Sequence, residues 1–268
     1  MSQAIQFIDT MLVDSHCHLD CLDLSPYENS FERFVEQAVA SGLEHMMCIS
    51  IDLEAYPAMR ELVDGQANIT VTAGVHPNVR EGQDPSVEDL IALARDFKVV
   101  GIGETGLDYF RSQGDLQWQR TRFRNHIRAA KACGKPLVVH SRDAKEDTLK
   151  ILEQENAGEV GGVIHCFSED WDMAARALDL NFQISFSGIV TFKNARSIQE
   201  VAAKIPEDRY LIETDSPYLA PVPYRGKANY PLYVRHVAEK IAELRGEPYA
   251  RVVERSADNF YRLFGTPA

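Results

Sequence analysis

Val99-Val100-Gly101-Ile102-Gly103-Glu104 is a short, nearly continuous apolar run that stops at a carboxylate. Seven other short β-prone runs recur, each ending in a polar or glycine-rich cluster. Met11-Leu12-Val13-Asp14 leads into His16-Cys17-His18, followed by Met46-Met47-Cys48-Ile49-Ser50 and Thr70-Val71-Thr72-Ala73-Gly74-Val75-His76. Beyond Glu104 come Leu137-Val138-Val139-His140, Gly162-Val163-Ile164-His165, Phe182-Gln183-Ile184-Ser185-Phe186 and Tyr210-Leu211-Ile212-Glu213-Thr214-Asp215. Apolar runs with little polar alternation suit strands covered on both faces, as in a parallel sheet. Between them the spacing turns helical. Phe31, Phe34, Val35 and Ala38 fall at i, i+3, i+4 and i+7, and Leu90, Leu93, Ala94 and Phe97 form a second apolar face after Pro85. Residues 115–133, 143–155, 169–179, 194–204 and 230–245 also read as helices. Alternating strands and helices predict parallel βαβ units. Eight such units in 268 residues match the size of an α/β (β/α)8 TIM-type barrel. A doubly wound open sheet is the alternative. No linker or low-complexity tract interrupts the chain, so residues 1–268 are read as one barrel domain, with residues 1–10 as an N-terminal extension.

Composition narrows the class. Hydrophobic residues at 45% and charged residues at 25% are ordinary for a globular protein and exclude disorder, collagen and coiled coil. No apolar stretch reaches membrane-spanning length, and the N-terminus lacks the basic start and long apolar core of a signal peptide. Five cysteines, an odd number with no CxxC pair, read as reduced thiols in a cytoplasmic protein. The net charge of -12 leaves no room for the large basic face that wraps long nucleic acid. If the protein handles phosphates, something other than Lys and Arg supplies much of the positive charge. Nothing in the sequence requires an oligomer, so a monomer is the expectation.

The ends of the runs hold the chemistry. His16 and His18 are two residues apart, so on a strand both imidazoles share a face and Cys17 takes the other. Glu104, His140, His165 and Asp215 stand at the ends of the fourth, fifth, sixth and eighth runs. In a barrel these ends meet at the mouth, where active sites lie. Buried there without a metal, the carboxylates would carry a heavy desolvation cost. Four imidazoles and two carboxylates exceed the four ligands of one zinc. Two divalent ions, about 3.5–4 Å apart and sharing a carboxylate, would use all six. Such a pair lowers the pKa of water and clamps the attacking and leaving oxygens, which points to metal-assisted hydrolysis, most naturally of a phosphate ester. Imidazoles favour Zn, Mn or Fe and oxygen ligands favour Mg, so Mg, Mn or Zn is expected.

Asp14-Ser15-His16-Cys17-His18-Leu19, Gly74-Val75-His76-Pro77, Gly103-Glu104-Thr105-Gly106-Leu107-Asp108-Tyr109, His140-Ser141-Arg142, His165-Cys166-Phe167-Ser168 and Glu213-Thr214-Asp215-Ser216-Pro217-Tyr218 together resemble the motifs of the TatD family of metal-dependent deoxyribonucleases. The resemblance runs from about residue 12 to about residue 264. It implies an amidohydrolase-like barrel in which His16, His18, Glu104 and Asp215 hold one ion and Glu104, His140 and His165 hold the other. Glu104 would bridge, and Asp215 would be the general base, a role its placement also suits. The fourth run ends in Glu104 and has no lysine there, which argues against the phosphotriesterase and dihydroorotase branches.

Other features read as bland or open. Gly101-Ile102-Gly103-Glu104-Thr105-Gly106 is a literal GxGxxG, but a dinucleotide fingerprint needs a helix opening on it and an early βαβ unit. Cys17 and Cys166 read as packing residues. Arg120, Arg124 and Arg128 recur at i+4 beside Arg122 and Lys131, and a solvated helix face is preferred to a nucleic-acid contact. His45, His126 and His236 lie outside the strand-end pattern and read as ordinary. His76 is expected to position a substrate phosphate or a metal-bound water. Arg142 is either a phosphate fork or the partner of a carboxylate such as Glu213. Tyr109 and Tyr218 could stack a base or pack a lid. The expected function is hydrolysis of DNA phosphodiesters from ends or single strands, an exonuclease activity with weakly bound DNA, because the acidic surface repels a polyanion. The alternatives are hydrolysis of another bond, such as an amide, a lactone or an aminoacyl ester on tRNA, and a non-enzymatic interaction protein.

Overall fold

The computed structural model describes residues 12–82 and 84–265; Met11 and the extension read over residues 1–10 lie outside them. Eight parallel strands run in sequence order around one sheet. They are β1 (Leu12–Cys17), β2 (Leu43–Cys48), β3 (Ile69–Ala73), β4 (Val99–Asp108), β5 (Leu137–Arg142), β6 (Gly162–Ile164), β7 (Phe182–Phe186) and β8 (Tyr210–Ile212). The sheet closes on itself just beyond β8. The Asp215 N–H donates to His16 O at 2.9 Å, and the His18 N–H donates to Ser216 O at 2.8 Å. The fold is the (β/α)8 barrel rather than the open sheet.

Helices α1 (Phe31–Ala40), α2 (Tyr56–Leu62), α3 (Val87–Leu93), α4 (Gln117–Cys133), α5 (Lys145–Gln154), α6 (Trp171–Asp179), α7 (Arg196–Lys204), α8 (Val234–Arg245) and α9 (Tyr249–Phe264) pack around it. Two of them are absent from the periodicity reading. α2 is seven residues long and buries only Tyr56 and Met59, too few positions to set a period. α9 places Ser256 and Asn259 on its buried face beside Val252, Val253, Ala257, Phe260 and Phe264, which dilutes the apolar stripe. Its polar members have structural work: Asn259 Nδ2 donates to Glu207 O at 3.0 Å and Tyr210 O at 2.9 Å. Among the described residues, no helix is long and apolar enough to cross a membrane.

The core has two layers. Leu12, Met46, Cys48, Val71, Ile102, Val139, Ile164 and Ile184 belong to the large cluster that includes the helices' apolar faces. Val13, Met47, Ile49, Val138, Val163 and Leu211 alternate with them and form a smaller cluster with Ala257, Phe260 and Phe264 of α9. The smaller cluster, closed by α9, plugs the N-terminal end of the strands, while β3 and β7 add buried polar side chains (Thr70, Thr72, Gln183 and Ser185), and the ligand-type side chains occupy the other end.

The β1–β8 seam is tied by a buried carboxylate. Asp14 is inaccessible; its Oδ1 accepts the Thr214 N–H at 2.9 Å and the His16 N–H at 3.3 Å, and its Oδ2 accepts the Thr214 hydroxyl. Residues two hundred positions apart are thereby locked in register, and with them His16 and Asp215. Replacing Thr214 with Val leaves Asp14 Oδ2 without that donor. Urea unfolding is expected to show a loss of about 1–3 kcal/mol, the cost of a buried unsatisfied group; an unchanged midpoint would contradict the latch.

Candidate metal centre

β4 continues past the end expected from sequence. It runs to Asp108 and pairs with β5 from Thr105–Val139 to Asp108–Arg142, with an irregularity between Ile102 and Thr105. Glu104 is therefore in mid-strand, facing the barrel axis, and the strand carries a second carboxylate above it. Two glycines make this possible. A Cβ on Gly103 (φ +150°) would meet Val138 O at 2.5 Å, and one on Gly106 (φ +136°) would meet His140 O at 2.0 Å. The GxGxxG match lies inside β4 and serves this close approach to β5. No helix opens on it.

The six strand-end residues converge. Glu104 is 2% exposed, and its two oxygens face different neighbours. Oε2 lies 3.3 Å from His16 Nε2 and 4.0 Å from His18 Nε2. Asp215 Oδ1 completes that side, 3.5 Å from His16 Nε2 and 3.4 Å from His18 Nε2. Oε1 lies 2.7 Å from His165 Nε2, 3.0 Å from His140 Nδ1 and 3.4 Å from His76 Nε2. His76 thus joins the cluster, where the sequence had placed it at the mouth without a partner set.

The outer nitrogens of these rings are held by acceptors. His18 Nδ1 lies 3.3 Å from Ile49 O, His140 Nε2 lies 3.2 Å from Asp108 Oδ2, and His165 Nδ1 lies 3.4 Å from Glu213 Oε1. A proton on the outer nitrogen leaves a lone pair on the inner one, aimed at the carboxylates. Asp108 and Glu213 were not read as site residues. Both were legible as positions: Asp108 is four residues after Glu104 on one strand, hence on the same face, and Glu213 is two before Asp215. His76 differs. Its Nδ1 accepts the Asn78 N–H at 3.0 Å, so its Nε2 carries the proton and is a donor.

Electrostatics fit this geometry. Burial works against the charge on Glu104, but His165, His76, His140 and His16 outweigh it and hold the carboxyl well below its usual range. Burial likewise opposes protonation of His165, yet Glu104 and Glu213 hold it well above the usual imidazole value. His18 and His140 are also raised, against burial, by Asp215 and Glu104 and by Asp108 and Glu104 respectively. His16 is pushed down by burial and by the charge of His165, on which it stacks at 3.9 Å. Burial pushes His76 down to about 4.

His16 tests whether a cation fits. Both its ring nitrogens are buried and without a hydrogen-bond partner, while Nε2 faces two carboxylates. Ligand atoms also group from His16, His18 and Glu104 and from His16, His165 and Glu213; His76 groups with Glu104 and His140 but presents a proton there rather than a lone pair. A divalent cation between imidazole lone pairs and carboxylate oxygens supplies the missing partner, so the residues fit a metal.

The remaining expectations resolve residue by residue. Cys17 Sγ points to Met47 O at 3.4 Å and Cys166 Sγ to Ser187 Oγ at 3.2 Å. His45 bonds Thr70, His126 bridges Arg122 O and the Val75 N–H, and His236 meets Glu239. The α4 cations are paired: Arg120 with Asp147, Arg124 and Arg128 with Glu155, and Lys131 with Glu159. Arg122 is buried against His76 O and Val79 O. Arg142 does not reach Glu213, which accepts the Cys166 N–H at 2.7 Å. Its guanidinium lies 3.9 Å from the centre of the exposed Phe110 ring. The Tyr109 hydroxyl is bound to Asp147 at 2.6 Å. Tyr218 is half exposed, and its ring stands 6.0 Å from that of His18.

Two outcomes follow for metal binding. Because neighbouring carboxylates raise His18, His140 and His165, these rings bind protons more readily than free imidazoles when metal is absent. Metal must displace these protons, so affinity should fall as pH drops, and binding heats at pH 7 should vary with buffer ionisation enthalpy. Buffer-independent heats would contradict this. Asp108→Asn should weaken metal binding about 10–100-fold through loss of the support behind His140, measured by chelator competition.

Comparison with known proteins agrees with this site. Residues 13–265 match the family model described as TatD related DNase. The chain is 46% identical over 253 residues to the uncharacterized metal-dependent hydrolase YcfH of Escherichia coli K12, covering 94% of this chain and 95% of that one. It is 40% identical over 257 residues to the uncharacterized metal-dependent hydrolase YabD of Bacillus subtilis 168, covering 95% and 99%. The crystal structure of YjjV, a TatD homolog from Escherichia coli K12, superposes with a TM-score of 0.88 at 27% identity, over 97% of this chain and 100% of that one. With the motifs, the barrel and the ligand cluster in agreement, the chain belongs to the TatD family of metal-dependent hydrolases.

Proposed function

We propose that this protein hydrolyses DNA phosphodiesters from exposed ends or single strands, as a metal-dependent exonuclease using two divalent ions, Mg, Mn or Zn. One observation carries the reading: the two oxygens of Glu104 face separate ligand sets. His16, His18 and Asp215 flank one, and His140 and His165 flank the other. His16, His18, Glu104 and Asp215 would hold one ion, and Glu104, His140 and His165 the other. Bound there, the ions would lower the pKa of water and offset the charge that develops on a phosphoryl group.

The chain's own residues supply the rest. Asp215 is the partly exposed carboxylate of the cluster, at 14%. Burial pushes its pKa up, but the His18 hydrogen bond and the charges of His16, His18 and His165 hold it below its usual range. It therefore stands ionised and takes the proton from the attacking water. His76 is neutral near pH 7, and its Nε2–H donates to a non-bridging phosphate oxygen. Arg142 has no described carboxylate within ion-pair distance, so its planar fork is available for phosphate. Depth favours ends: His16 is inaccessible and Glu104 nearly so, and a duplex mid-section cannot descend to them. The net charge of -12 weakens long-range capture of DNA.

Metal-stripped protein given Mg, Mn or Zn is expected to release mononucleotides from an oligonucleotide labelled at its 3′ or its 5′ end. Asp215→Asn should lose about 10²–10⁴ in rate. Arg142→Lys keeps the charge and loses the fork, and should raise KM about tenfold. Metal uptake without release from any DNA would overturn the nuclease reading and direct assays to amides, lactones and aminoacyl esters.

A further inference from the structure

The connections after β7 and β8 carry exposed cations without described ion pairs and, beyond Asp215, no carboxylate. The chain carries 40 Asp and Glu, yet none lies between residues 180 and 199 or between 216 and 238. These stretches form the connections after β7 and β8. They carry Lys193, Arg196, Arg225 and Lys227, all exposed. None has a described carboxylate within 4.0 Å, whereas Arg120, Arg124, Arg128 and Lys131 of α4 are all paired. The other connections at this end all carry acids: Asp20 and Asp23 after β1, Asp52 and Glu54 after β2, Asp143, Glu146 and Asp147 after β5, Glu169 and Asp170 after β6; those after β3 and β4 mix Glu81, Asp84 and Asp115 with exposed Arg80 and Arg111.

The two connections form one surface. Thr191 Oγ1 accepts the Val222 N–H at 2.9 Å, and the Arg225 guanidinium lies 4.3 Å from the centre of the Phe192 ring. Tyr224 stacks on Tyr233 at 4.1 Å and 4°. The second connection begins at Asp215 itself and is tied back to the seam by Asn229 Nδ2, which donates to Thr214 O at 2.9 Å. Tyr218, exposed near His18, lies on it between Asp215 and the cations. Positive groups tracking a backbone, with an aromatic face beside them, are what single-stranded nucleic acid requires. Because fields are screened within about 8 Å at physiological salt, a local tract works despite the acidic total.

We propose that Lys193, Arg196, Arg225 and Lys227 form an extended subsite for the phosphates of a single strand beyond the bond being cleaved, so that the strand leaves the mouth over β7 and β8. This rests on the nuclease reading for its substrate. It is tested by binding in the Asp215→Asn background, where cleavage does not interfere. Fluorescence anisotropy of a labelled twelve-residue oligothymidylate should show about tenfold weaker binding when Lys193→Gln, Arg225→Gln and Lys227→Gln are combined. The log–log salt dependence should be shallower by about 2, as about 0.7 per phosphate contact requires. A trinucleotide should lose much less, and Arg124→Gln with Arg128→Gln should change neither. Unchanged binding of the long strand, equal losses for long and short strands, or equal competition by polyglutamate, the mark of an acidic protein partner, would each overturn the proposal. Wild-type protein that binds the long strand through these residues but cleaves no DNA would sink the nuclease reading and keep the tract.

Discussion

A carboxylate buried at 2% exposure among five imidazoles is the constraint around which this barrel is arranged. An ionised Glu104 taken out of water without compensation would cost several kcal/mol. Everything near it answers that cost. β4 and β5 are drawn together at two glycines so that Glu104 and His140 meet. The β1–β8 seam is latched by Asp14 and Thr214 so that His16, His18 and Asp215 arrive on the other side. Asp108, Glu213 and Ile49 O stand behind the rings and turn their inner nitrogens toward the centre. The apolar plug from α9 closes the opposite end of the barrel, which leaves the polar cluster facing only the mouth.

Charge is sorted by place. Cations on α4 are consumed by carboxylates of α5 and its neighbours, and pairs of this kind hold helices side by side without offering anything to a ligand. Lys193, Arg196, Arg225 and Lys227, near β7 and β8, have no described carboxylate within 4.0 Å. A strongly acidic protein can in this way carry a local cationic tract. Arg142 on the Phe110 ring, at the end of β5, and His76 as a fixed donor, after β3, stand at other points of the mouth.

How much of this was legible in the sequence differs by kind of residue. The eight strands could be read as nearly continuous apolar runs, and the six strand-end groups because five of those runs lead straight into imidazoles or carboxylates, which are costly to bury. α2 could not, because seven residues with two buried positions carry no period. α9 could not, because its buried face includes Ser256 and Asn259. Asp108 was hidden by a wrong strand end: once β4 was stopped at Glu104, the shared face of residues 104 and 108 was out of view. His76 was seen as a mouth residue, but its Nδ1 contact with the Asn78 backbone, which makes it a donor, exists only in the folded loop. The i+4 arginine stripe, expected as a solvated helix face, instead pairs with Asp147 and Glu155, partners that sequence spacing on α4 alone does not show. The acid-free connections, equally visible in the sequence, needed the barrel to bring them to one rim.

The central claim is that Glu104 is shared by two divalent ions. Anomalous diffraction from crystals grown with Mn tests it most directly. The account predicts two peaks about 3.5–4 Å apart, one beside Glu104 Oε2 near His16, His18 and Asp215, the other beside Oε1 near His140 and His165. A single peak, or none within ligand distance of Glu104, would contradict it.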